Sequence, residues 1–421
     1  MKDKTNQKEQ RNIDDQIDVV VVGGGIGGST LAATLSNAGI SVLVLERETE
    51  FVDRVRGEWI APWGVVEAKT LGLYDHLMNA GGHHITRHIG YDETLTPTQA
   101  EAGELPLGII EGIPGPLTIE HVKLQNIAVK IAVQAGATTL RGVKNIKVVK
   151  GTQPSVSYEH ESTVQTIHCR LIVGADGRSS TVRRQVGLKL VEDPIDHLMS
   201  GLLIENASGW PEDLQAMGKV GDIAYLVFPQ GQGKIRLYAD YDIEGRSRFS
   251  GASAAADMLA AFRMSAVPNS EVIADARPIG PCRSNPSQDA WVDDPFDDGV
   301  VLIGDAGGYN DPILGQGLSI TLQDVRLVTD ILMSESSWTK EIFESYGVKR
   351  KERMRRLRIS AQMVTQMFAR FGPEAEARRK RAQARMLQKP ELRMAMLAAY
   401  LGTETIDASF FEPEIQAELF E

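Results

Sequence analysis

Cysteine is nearly absent from this sequence: 421 residues contain two, Cys169 and Cys282. Two thiols cannot build a disulfide framework. They fit a reducing cytoplasm, and each reads as a small buried hydrophobe. An excess of basic charge is also missing. The net charge of −11 argues against general affinity for nucleic acid, because neutralising phosphates needs a basic surface. No apolar run approaches the roughly 20 residues that span a bilayer, so no integral membrane segment is expected. Residues 1–16 are polar and charged; they lack the apolar centre of a signal peptide and read as a disordered tail. What remains is ordinary for a globular, cytoplasmic protein, with 42% hydrophobic and 24% charged residues. The length suits one large fold or two to three lobes.

Val19 to Val22 is a β-branched run of the kind buried on both faces of a sheet. Glycines at 23–28 break it, a helix is expected from Ser29 to Asn37, and Ile40 to Leu45 reads as a second buried strand ending at Glu46. This is a parallel βαβ unit. Leu117 to Glu120 reads as a short strand, Val122 to Ala135 as a helix, Val143 to Val149 and Val156 to Ile167 as a meander or hairpin, and Leu171 to Val173 as another buried strand. The character changes between about Pro194 and Pro281. There Ile223 to Phe228 and Ile235 to Tyr241 flank Pro-Gln-Gly-Gln-Gly, a hairpin signal, and a helix is expected around Met258 to Arg263. Val300 to Ile303 returns to a buried strand, a long helix follows from Gly317 to about Met333, and Lys349 to Lys389 is helical and strongly basic. The pattern predicts an α/β protein: a Rossmann-like domain with a parallel sheet, an inserted antiparallel β-sheet lobe for substrate, and C-terminal helices. Residues 17–82, 116–190 and 282–335 are assigned to the nucleotide domain, 83–115 and 191–281 to the lobe, and 336–421 to the C-terminal region.

Three motifs carry chemistry. In Gly23-Gly24-Gly25-Ile26-Gly27-Gly28, Gly23 permits a tight turn, Gly25 leaves room for a pyrophosphate, and Gly28 lets helix and strand pack closely. The helix N-terminus offers free N–H groups and a positive dipole end to phosphate. Glu46 ends the second strand, where a carboxylate accepts hydrogen bonds from a ribose. The second motif, Ala175-Asp176-Gly177-Arg178-Ser179-Ser180 with Arg183, is on its own an ordinary turn; its arginines suit phosphate or are simple surface charge. The third runs Gly304-Asp305-Ala306, Asp311-Pro312, Gly315-Gln316-Gly317. A strand ends at an acid suited to polyol hydroxyls, and a glycine-rich turn then leads into a long helix aimed at whatever lies beyond.

Together the motifs resemble those of the class A flavoprotein monooxygenases, the p-hydroxybenzoate hydroxylase-like FAD-dependent family, over roughly residues 17–335. The resemblance implies that the Rossmann-like domain binds FAD. Its cofactor residues are then Gly23, Gly25, Ile26, Gly28, Glu46, Arg47, Arg56, His121, Asp176, Gly177, Arg183, Gly304, Asp305, Pro312, Gly315, Gly317 and Leu318. Pro312 and Gly315 would form the loop on the flavin face, the candidate catalytic element. The resemblance also implies transient binding of NAD(P)H, for which no second glycine-rich motif exists. Oxygen would then add at the flavin C4a, and the hydroperoxyflavin would hydroxylate a small aromatic or polycyclic substrate. The cofactor would supply the hard chemistry and the protein position and electrostatics. Three positions depart from the family pattern: Gly308 stands where histidine is common, Ser319 where asparagine is, and His121 where arginine is. Two other reactions on this fold stay open: a flavin-dependent reductase of an isoprenoid-like alkene and, lower in rank for want of a WxWxI motif, a flavin-dependent halogenase.

Other constellations are read blandly. His83, His84 and His88 lack a partner ligand at metal spacing and are expected in an exposed loop, so no metal site is assigned. Asp293, Asp294, Asp297 and Asp298 read as a solvated acidic turn. Lys349 to Arg358 and Arg378 to Arg385 read as solvated basic faces. Tyr225, Val227 and Pro229 share one strand face and Arg236, Tyr238 and Asp240 another. With Trp59, Trp63 and Trp210 these are candidate pocket walls, with core packing as the bland alternative. The C-terminal residues are a candidate cover for the active-site entrance or a homodimer surface.

Overall fold

Val19–Val22 is a strand because β-branched side chains fill both of its faces, and all four residues are buried. The computed structural model describes residues 17–421; the expected tail, residues 1–16, lies outside them. The strand sits inside a six-stranded sheet. Val42–Glu46 and then Thr138–Arg141 extend it on one side, and Leu171–Gly174 and then Val300–Leu302 on the other, all parallel. A short antiparallel strand, Phe296–Asp297, closes the edge. Alternate residues serve the two faces. Val19, Val21 and Val44 pack with Leu31, Ala132 and Val325 of three helices, Ile26–Asn37, His121–Gln134 and Gly317–Ser334. Val20, Val22 and Leu43 pack with Val156 and Tyr158 of a three-stranded antiparallel sheet, Lys144–Val149, Ser155–His160 and Thr163–His168.

The lobe is an eight-stranded sheet whose centre is His197–Glu205, Lys234–Asp242, Ile223–Gly231 and Leu214–Val220, all antiparallel. It is not purely antiparallel, since Arg87–Gly90 joins Leu214–Val220 in parallel. Nor does its sheet stop at residue 281: Arg283–Ser287 pairs with His197–Glu205. The expected helix near Met258 forms earlier, at Ala254–Ala261, and covers one sheet face. Tyr225, Val227 and Trp210 belong to that covered core, so they are not pocket walls. The opposite face, carrying Met199, Met217, Leu226 and Phe228, looks toward the nucleotide domain.

Two long C-terminal helices, Glu344–Phe368 and Pro373–Gln388, are separated at Gly372, whose φ of +90° breaks the helix ahead of Pro373. The first is not a solvated basic face. Arg350 and Arg353 are 1% and 2% exposed, and both pair with the buried Asp324 of the Gly317–Ser334 helix. A cation this deep survives because a carboxylate and several carbonyls take up its donors. Among the described residues no helix is long and apolar enough to cross a membrane.

Candidate functional site: a nucleotide cradle open to an apolar chamber

The C-terminal ends of the parallel strands open onto one cavity of about 1060 Å³, larger than the roughly 300–1,000 Å³ of a pocket for one drug-sized ligand. The first motif and the two strands beside it contribute Gly23, Gly25, Ile26, Gly27, Glu46 and Arg47 to its wall. Glu46 is buried and accepts one bond on each oxygen, from the amides of Gly24 (2.7 Å) and Glu48 (2.8 Å), with lone pairs to spare. It thereby locks the glycine turn to the end of its strand. Gly24 does not line the cavity, and neither does Gly28. A Cβ there would stand 2.0 Å from the carbonyl oxygen of Gly23, so its role is the close helix–strand approach. A Cβ on Gly25, in contrast, would meet nothing within 4 Å: the turn holds open space.

The second and third motifs converge on the same cavity through Asp176, Gly177, Gly304, Asp305, Pro312, Gly315, Gly317 and Leu318. Asp176 accepts from Ser180 Oγ and from the amides of Thr181 and Val182, which caps the short helix Thr181–Val186. Arg178 stacks over Tyr309 at 4.5 Å and lies 3.5 Å from Asp305. Arg183 is not at the cavity. It is buried, donating to the carbonyls of Ala306 and Arg178, and so ties the second motif to the third. Gly308 is likewise behind the cavity. Its φ is +114° and a Cβ would fall 2.5 Å from the Ala290 carbonyl oxygen, so histidine cannot stand there in this chain. Ser319 is buried and does not line the cavity; its hydroxyl accepts from the Ala61 amide.

The donor set fits a dinucleotide. Two helix N-termini reach the cavity, at Gly25 and Gln316, and neither carries a side-chain cap or an acidic residue in its first turn. Their free amides and dipole ends suit anionic oxygens. Arg54, Arg56 and Arg178 add positive charge along the rim. Arg56 lines the cavity at its exposed rim; the protein surrounding it, and then Arg178, lower its affinity for its proton. His121 lines the cavity, its Nδ1 2.8 Å from the Gly57 carbonyl, and burial lowers its pKa, so it is a neutral group there.

Sequence reasoning missed Glu58. It is 3% exposed, touches the cavity, accepts from the His121 amide and is gripped in two places by the buried Arg236 (2.7 and 2.8 Å). Its partner lies 178 residues away, so no local pattern announces it. His88 was also misplaced: it lies in the strand Arg87–Gly90 and faces the cavity rather than a loop exposed to solvent. Trp59 and Tyr238 do wall the cavity, whereas Trp63 is buried nearby, donating to Gln316 Oε1.

Fold and site define an FAD-binding protein with a Rossmann-like parallel sheet. The chain belongs to the FAD binding domain family, whose model matches residues 16–360, and FAD is its cofactor. It is 25% identical over 328 residues to squalene monooxygenase of Mus musculus, 75% of this chain and 54% of that protein, so it spans about half of that relative's length. It is 26% identical over 328 residues to digeranylgeranylglycerophospholipid reductase 2 of Methanothermobacter thermautotrophicus, 75% of this chain and 77% of that one. In fold it is similar to p-nitrophenol 4-monooxygenase PnpA from Pseudomonas putida DLL-E4, with a TM-score of 0.73 and 17% identity, over 96% of this chain and 98% of that one.

Proposed function

We propose that this chain is an NAD(P)H-consuming monooxygenase that places one atom of O₂ on an uncharged, apolar substrate of aromatic, polycyclic or isoprenoid type. The observation that supports it is the continuity of one cavity: the dinucleotide cradle runs directly into a chamber walled by Trp59, Met199, Met217, Leu226, Phe228 and Tyr238. In this reading the Gly23–Gly28 turn and the Ile26–Asn37 helix end take the pyrophosphate, Glu46 a ribose hydroxyl and Asp305 the ribityl chain. The Pro312–Gly317 loop lies against the ring. FAD, when bound, supplies the transfer of electrons from NAD(P)H to oxygen. The chain's own part is to orient the substrate, to exclude water with its apolar wall, and to present the bare helix end at Gly317 to negative charge at the ring edge. NAD(P)H would bind transiently across the cavity mouth.

The test is turnover of the holoenzyme with NADH or NADPH under ¹⁸O₂, against a panel of polycyclic aromatics and isoprenoid alkenes. Product carrying one ¹⁸O atom is expected. Flavin that is reduced and reoxidised with hydrogen peroxide as its sole oxygen product, across the whole panel, would sink the reading. An alkene reductase is the second reading, favoured by the likeness to the archaeal lipid reductase; it requires turnover without oxygen and a saturated product.

A further inference from the structure

A hydrogen-bonded polar cluster interrupts the apolar wall of the chamber. Gln215 is 1% exposed and its side chain touches three others: Trp59 Nε1 is 3.1 Å from its Oε1, and its Nε2 is 2.9 Å from Tyr400 Oη and 3.2 Å from His88 Nδ1. The parallel pairing of Arg87–Gly90 with Leu214–Val220 puts Gln215 directly beside His88. Trp59 and Tyr400 meet edge to face, with ring centres 5.8 Å apart.

These contacts fix every proton. An indole N–H only donates, so the Gln215 atom facing Trp59 is its oxygen, and the amide nitrogen must face the other two. An amide nitrogen only donates, so His88 Nδ1 accepts and the ring proton sits on Nε2. Tyr400 Oη likewise accepts from Gln215 and keeps its own hydrogen for another partner. Both amide hydrogens of Gln215 are then spent, and His88 Nε2–H and Tyr400 Oη–H, on two residues that line the chamber, have no acceptor among the described side chains. Neither donor is ionised at neutral pH: burial pushes His88 down to about 4 and Tyr400 up to about 12.

We infer that His88 Nε2–H and Tyr400 Oη–H, set by Gln215 and Trp59, form a recognition subsite for one neutral acceptor oxygen, so that the substrate is an apolar skeleton bearing a ketone or quinone carbonyl. This rests on the proposed substrate chamber and narrows its substrate class. A purely hydrocarbon substrate would leave two buried donors unpaired, a penalty that discriminates strongly against it. A carboxylate would have to shed its hydration without meeting a cation in this subsite.

The test needs no turnover and therefore separates this inference from the monooxygenase reading. Oxidised holoenzyme is titrated calorimetrically with α-tetralone, tetralin and 1-naphthoate, without NAD(P)H. α-Tetralone is expected to bind about tenfold tighter than tetralin, the worth of one to two net hydrogen bonds, and tighter than 1-naphthoate. Tyr400→Phe and His88→Phe should each shrink the ketone preference, and Gln215→Leu should bring it to about one with the flavin spectrum unchanged. A wild-type preference below about twofold, or one that survives Gln215→Leu, overturns the inference. Should the variants fail to fold, ¹⁵N shifts of wild-type holoenzyme decide: a His88 proton on Nε2 supports the subsite, and one on Nδ1 removes it.

Discussion

At the scale of single residues, two glycines of one motif do different work, and the space around each tells them apart. A methyl group at Gly28 collides with backbone, whereas one at Gly25 projects into the open cradle. Gly28→Ala should therefore destabilise the apoprotein by about 1–3 kcal/mol, the ordinary cost of overpacking. Gly25→Ala should leave the apoprotein melting temperature unchanged and raise the FAD dissociation constant at least about tenfold. Thermal melts of apoprotein beside flavin titrations check both; equal effects of the two changes on melting would refute the distinction. Both glycines were legible from spacing alone. Glu58 and Gln215 were not, because each acquires its partners from strands that only the fold brings near.

At the scale of elements, the Glu344–Phe368 helix reaches back to hold the third motif. Arg350 donates to the carbonyls of Gly307 (2.7 Å), Gly304 (2.9 Å) and Gly308 (3.0 Å) as well as to Asp324. Arg353 reaches the other oxygen of the same carboxylate and also Gln323. Removing one member of such a buried set leaves the rest uncompensated, so Arg350→Met should cost about 3–5 kcal/mol. Replacing Arg350, Asp324 and Arg353 together with Met, Leu and Leu should regain much of that stability, as measured by denaturant melts. It should not regain FAD affinity, because the carbonyls of the Gly304 turn have then lost their clamp. Restored affinity in the triple variant would show that the helix does not position the motif. The sequence displayed these arginines as a basic stripe. Which of them turned inward depended on one aspartate on another helix.

At the scale of the whole molecule, the join between lobe and nucleotide domain carries a second buried charge cluster. His197 is 1% exposed; its Nδ1 is 2.6 Å from Asp196, and its Nε2 is 3.4 Å from Asp311 and 3.8 Å from Asp240. Burial opposes its charge, but Asp196 and Asp311, with a smaller contribution from Asp240, outweigh that and hold it up to about 10. Burial pushes Asp240 up to about 8. Between the ordinary histidine value of 6.5 and about 10, the folded chain therefore binds more protons than the unfolded one. The share of stability carried by His197 is full below that window and is lost as pH rises through it, and Asp240, raised from 3.8 to about 8, loses its own share in the same direction over that lower range. The melting temperature should fall from pH 7 to pH 10, and His197→Gln should flatten that fall; an unaltered slope in the variant would exclude this histidine as the cause.

The sequence by itself determined the βαβ unit, the three glycine-rich turns and the FAD family. Those features are local: strand burial, tight turns and bare helix ends are written in neighbouring residues. Tertiary structure decided which side chains face the chamber. A one-residue difference in strand phase put Leu226 and Phe228 at the cavity and Tyr225 and Val227 in the core, because alternate side chains point oppositely and only packing chooses the face. The same step placed His88 beside Gln215, and put Arg183 in the framework behind the cavity rather than on its wall.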